Sequence, residues 1–168
     1  MIFLRTFMES IKLPNKKALF KLNRTGMDIV VIYVFIILLF VSVPALIDQL
    51  TTASGPSEDM NLLFLIIFFF IFYYLPMNIL VFILLSIIAY ISTKIATLMG
   101  RKLRFQILWK MSAFTATTPF MIYTIIALFF PISDSFLWLS LLYTLIILIK
   151  MISIYPKRKV RLKQTKNL

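Results

Sequence analysis

The chain has 168 residues, 61% of them hydrophobic and 14% charged, with a formal net charge of +12. Soluble domains run at roughly 45–50% apolar, so this composition belongs in a lipid bilayer, where the basic excess points to an anionic membrane surface and not to nucleic acid. Cysteine and histidine are both absent, which excludes disulfides, thiolate and imidazole chemistry and most zinc, copper and haem ligation.

Residues 1–12 place Ile2, Phe3, Leu4, Phe7, Met8 and Ile11 on one helical face and Arg5, Thr6, Glu9, Ser10 and Lys12 on the other. That pattern predicts an amphipathic helix lying in the lipid interface, too short to span. Pro14 breaks it, and Asn15 is placed to cap a second short helix. Lys12, Lys16, Lys17, Lys21 and Arg24 make this stretch cationic. It reads either as a contact for anionic lipid head groups or, more plainly, as a positive-inside anchor.

Gly26 precedes a first span over 27–47. Asp28 sits where a carboxylate suits a helix N-terminus, and Pro44 is predicted to kink or end the helix. Residues 48–60 carry Asp48, Glu58 and Asp59 with no base, plus Ser54-Gly55-Pro56-Ser57 turn chemistry. By the charge rule that loop faces outside and the N-terminus faces the cytoplasm.

Leu62 to Thr93 contains no charge at all. As one helix it would reach about 48 Å, against about 30 Å of hydrocarbon. The next charges, Lys94, Arg101, Lys102, Arg104 and Lys110, are all basic. One long element kinked at Pro76 keeps them inside. The alternative turns back at Pro76-Met77-Asn78, gives five spans and strands these cations outside. Lys94 to Lys110 is then a cytoplasmic connector, with Trp109 suited to the aromatic belt.

The third span, 111–130, holds a polar cluster: Ser112, Thr115, Thr117 and Thr118, just before Pro119. Ser112/Ala116 and Ala113/Thr117 are small residues four apart, which allow close helix approach. The cluster reads as helix packing around a proline kink, or as a polar site for a lipid head group or solute. A fourth span, 136–155, begins near Trp138 at the outer interface. Lys150 is close enough to its inner end to snorkel out. Pro156 ends it, and a basic tail over 156–168 is expected to be cytoplasmic and disordered. The organisation is an N-terminal segment (1–26), one transmembrane domain (27–155) and the tail.

No pair of carboxylates lies at membrane depth, and the three glycines are isolated. The serines have no histidine base, and a Ser–Lys pair would need lysines at the membrane edge. The spans also lack the buried ionisable groups of a coupled transporter. No catalytic residue, metal site or cofactor is expected.

Three stretches carry a resemblance: FMESIKLPNKKALFKLNRTGMDIVVIYVFIILLFVSVP, KLRFQILWKMSAFTATTPFMI and SIYPKRK. Together they resemble the Gram-positive bacterial domain-of-unknown-function family 1189 and, more distantly, the Yip1-like membrane proteins. The resemblance implies a polytopic membrane protein and carries over no activity. Some family members are linked to maltodextrin use. The family's sizeable extracellular segment after the first span is here only the stretch from Asp48 to Met60.

The reading is an all-α protein of a bacterial cytoplasmic membrane with four spans and both termini inside. Its expected function is a non-enzymatic accessory, regulatory or assembly partner of another membrane complex, or of itself. One alternative is binding or transport of a lipid or small solute, including a maltodextrin-related one, at Ser112, Ala113, Thr115, Ala116, Thr117, Thr118 and Pro119. The other is membrane shaping through residues 1–12. Anionic lipid contacts are expected at Lys12, Lys16, Lys17, Lys21, Arg24, Arg101, Lys102 and Arg104.

Overall fold

The computed structural model describes residues 2–51, 61–130, 132 and 135–156, and among these the structure is helix and connection with no strand. Residues 52–60 of the expected outer loop and 157–168 of the expected tail lie outside the described residues. The helices are α1 (Ile2–Ile11), α2 (Lys16–Asn23), α3 (Met27–Thr51), α4 (Leu62–Phe69), a π turn (Phe70–Tyr74), α5 (Leu75–Leu98), α6 (Phe105–Ala127) and α7 (Ser135–Ile154).

The chain runs helical from Leu62 to Leu98, 37 residues without a break. The alternative turn at Pro76-Met77-Asn78 is not formed. A proline ring inside a helix collides with the carbonyl four residues back and offers that carbonyl no N–H. Here the carbonyl is that of Phe72, inside the widened π turn that ends two residues before Pro76. The wider turn takes up the conflict, so the helix continues. It ends at Gly100, whose φ of +67° suits a residue without a side chain. There the amides of Gly100 and Arg101 donate to the carbonyls of Thr97 and Ala96 at 2.9 Å each, a Schellman closure. The expected connector is thus mostly helix, and only 99–104 links α5 to α6. Pro44 does not end α3, which continues past Ile47 to Thr51.

Helices α3, α4–α5 and α7 are long and apolar enough to cross a membrane; the chain is a membrane-embedded protein. Helix α6 falls outside that set because of its hydroxyls, Lys110 and Pro119. The fold supplies the reason: α6 is the centre of the bundle and packs against α3, α5, α7, α1 and α2. From Met111 to Thr117 every residue is buried, almost two full turns enclosed on all sides. A helix shielded by protein has no need of a lipophilic surface. Phe114 is fully buried there, with its ring 5.7 Å from that of Tyr33 on α3.

Burial in α1 is inverted relative to a helix of a water-soluble bundle. Helix α1 buries Thr6 and Ser10 against the bundle and exposes Ile2, Leu4, Met8 and Ile11. Each hydroxyl donates to the carbonyl four residues back, at 2.9 and 2.8 Å, so neither is left unpaired. Small hydroxyl residues let helices approach closely in lipid, while large apolar residues face the tails. The amphipathic helix is therefore docked on its hydroxyl stripe and does not float free. Ser10→Leu, which overfills a contact at a fully buried position, is expected to cost about 1–3 kcal/mol of docking. Amide exchange over residues 2–11 should rise while exchange in α6 stays unchanged; unaltered exchange in α1 would contradict this packing.

Candidate functional site

The base of the bundle gathers the cations. Asn15 caps α2 as expected, its side chain accepting from the Lys17 amide at 3.1 Å. Ala18, Leu19 and Leu22 bury one face of α2, which leaves Lys16, Lys17 and Lys21 exposed beside Lys12 and Arg24. Lys110 of α6 then pins the exit of α2: its ammonium donates to the carbonyls of Asn23 at 2.8 Å and Thr25 at 2.9 Å. Those carbonyls lie at and just past the end of α2, where peptide acceptors lack partners and a cation is favoured. Phe20 stacks edge-on against Tyr155 at 5.6 Å. The start of α6 and the end of α7 therefore share this end of the molecule with α2. The 99–104 link adds exposed Lys102 and Arg104 and half-buried Arg101. Glu9 pairs with Lys21, and that hydrogen bond holds the Glu9 carboxyl below the ordinary carboxylate value.

The hydroxyl cluster of α6 does not converge on one point. Ser112 donates to the Trp109 carbonyl at 2.7 Å, and Thr115 to that of Met111 at 2.8 Å. Thr117 meets the Tyr33 hydroxyl at 2.9 Å, joining α6 to α3. Ala113 is buried with them, and Ala116 borders a cavity of about 230 Å³ between α3, α5, α6 and α7. Thr118 and Pro119 border a separate cleft against α7. The hydroxyls on the cavity beside Ala116 are partly spent: Ser140 and Thr144 each donate to a backbone carbonyl of α7 at 2.8 Å. Trp109 is not in an aromatic belt at the lipid surface. It is buried, its indole N–H donating to Ser86 Oγ at 3.1 Å and its ring lying 5.6 Å from Phe82.

A third feature lies near the middle of the long helix. Asn78 is only 2% exposed. Its Nδ2 donates to the Tyr74 carbonyl at 2.7 Å, and the Tyr74 hydroxyl donates to the Phe35 carbonyl at 2.8 Å. Its Oδ1 is buried with no hydrogen-bond partner. Ser92 Oγ, Arg101 Nε and Tyr155 OH are likewise buried without partners, but they sit toward the cationic end. Asn78 also borders an open groove of about 770 Å³ between α3 and α5, walled by Phe35, Phe82 and Ile83. The π turn is one turn away, and such turns recur at functional positions. The sequence reading treated Asn78 only as part of a turn. The available signal was that it is the one carboxamide between Leu62 and Thr93, and polar groups inside membranes mark function by default.

Among the described residues no three side chains of His, Cys, Asp or Glu gather to hold a metal. The sequence profile of a family described as "Protein of unknown function (DUF1189)" matches residues 48–152, from the end of α3 into the last turn of α7. No curated protein and no solved structure matches the chain.

Proposed function

The chain belongs to the family described as "Protein of unknown function (DUF1189)", and from that premise we propose that it is a non-enzymatic accessory or assembly subunit of another membrane complex. One observation carries this reading: an unpaired, buried carboxamide oxygen on Asn78, a residue near the middle of the long apolar helix that lines an apolar groove. An unsatisfied polar group costs about 1–3 kcal/mol, and lipid tails cannot relieve it. A neighbouring transmembrane helix that presents an O–H or N–H can. The small-residue face of α6 is covered by the chain's own helices, so the contact falls to the phenylalanine-rich long helix and its groove with α3. The bundle is read as crossing a bacterial cytoplasmic membrane four times, with α6 enclosed and the cationic end in the cytoplasm. The solute-binding alternative is weaker, since the cavity beside Ala116 is apolar and smaller than the roughly 300–1,000 Å³ of ligand pockets.

The test is extraction from native membranes in mild detergent, followed by quantification of co-purifying membrane proteins. A partner at fixed stoichiometry, lost on Asn78→Leu, is the expected result. A monodisperse monomer carrying only lipid would overturn the proposal.

A further inference from the structure

We infer that the cavity between α1 and the start of α3 is a binding site for the phosphate of an anionic phospholipid. This cavity, of about 380 Å³, is bordered by Arg5 of α1, by Lys21 and Arg24 around the exit of α2, and by Ile2 and Ile29 on its apolar side. The charges are already sorted. Glu9, the one acid on this cavity, is engaged by Lys21. That pair is close to neutral and leaves two guanidinium groups from different elements, neither with an ion-pair partner among the described residues. Asp28 lies folded back over Gly26, so the α3 N-terminus already has its own carboxylate. A ligand therefore has to be recognised by the arginines.

Two planar forks facing one cavity match a phosphate better than any neutral head group, because each can bind two oxygens at once. The apolar side fits the rest of a lipid. Ile2 on the cavity wall is exposed, as are Leu4 of α1 and Met27 and Ile32 of α3, which lie close in sequence to lining residues, where acyl chains would lie. A soluble phosphate would gain nothing from those surfaces. The position also suits a lipid: the cationic end of a membrane-embedded bundle is where head groups sit. The inference is independent of the assembly proposal, since it uses neither Asn78 nor its groove.

The experiment uses the purified full chain in mixed vesicles of phosphatidylglycerol and phosphatidylcholine, extracted gently and weighed intact to read the ratio of the two lipids retained. Wild type is expected to retain phosphatidylglycerol selectively. The charge-conserving pair R5K/R24K should reduce that selectivity at least about fivefold, because lysine keeps the charge and loses the fork. K94Q/K150Q removes two exposed charges outside the cavity and should leave selectivity within about twofold. R5K alone, at an exposed position, should move selectivity in the same direction by less, which guards against misfolding of the pair. Equal loss in R5K/R24K and K94Q/K150Q would mean diffuse surface attraction and would overturn the site. So would full selectivity in R5K/R24K. Displacement of the lipid by millimolar inorganic phosphate would assign the cavity to free phosphate and overturn the lipid assignment; retention of the lipid supports it.

Discussion

Replacing Phe114 with alanine is expected to lower the unfolding free energy by about 3–5 kcal/mol, measured by denaturant titration in mixed micelles. The cost comes from a void that the site cannot close. Phe114 is fully buried inside the stretch of α6 that is enclosed on all sides, with Tyr33 across from its ring. In lipid the association of helices rests on packing and hydrogen bonds, since tails are as apolar as the core. Lost contacts are therefore the whole effect, and nothing offsets them. Phe72→Ala is the matched control. Phe72 is 65% exposed on the long helix, and its loss should change stability by no more than about 0.5 kcal/mol. Equal effects at the two positions would mean that α6 is not the enclosed centre.

Asn78→Leu should behave in the opposite way: stability within about 1 kcal/mol of wild type, and loss of the co-purifying partner. Truncating a satisfied buried group usually destabilises. Here the substitution removes an oxygen that has no partner and gives up one side-chain bond to the Tyr74 carbonyl. That carbonyl lies in a helix, so its ordinary backbone partner remains. Replacing an unsatisfied polar group by an apolar one of similar shape is close to neutral for the fold. For a partner whose donor is aimed at this oxygen, the same change leaves that donor unpaired. A large drop in melting temperature for Asn78→Leu would place the residue among the fold's own supports.

Membrane class and the all-helical architecture were legible from composition and from the uncharged run after Leu62, because few structures other than long helices tolerate such a run. The small-residue spacing in the third span suggests close helix approach, and α6 packs against five other helices. Its occupants were not legible. That α1 would dock through Thr6 and Ser10 depends on where α2 returns the chain, and no periodicity encodes that. Trp109 was misplaced for a related reason. A tryptophan beside lysine at a membrane edge looks like a belt residue until a second helix covers it with Phe82 and Ser86. The π turn before Pro76 escaped notice too, since proline in an apolar run signals a break and not the widened turn that prevents one. Arg5 looked like part of a solvated face, and only the return of the chain at Arg24 put two guanidinium groups on one cavity.

The most direct measurement places a photoactivatable cross-linker at Ile83, which is exposed and borders the same groove as Asn78, and irradiates native membranes before any detergent is added. The assembly account predicts one discrete adduct with another transmembrane protein or with a second copy, abolished by Asn78→Leu. Labelling of lipid alone, or an adduct indifferent to Asn78, would contradict it.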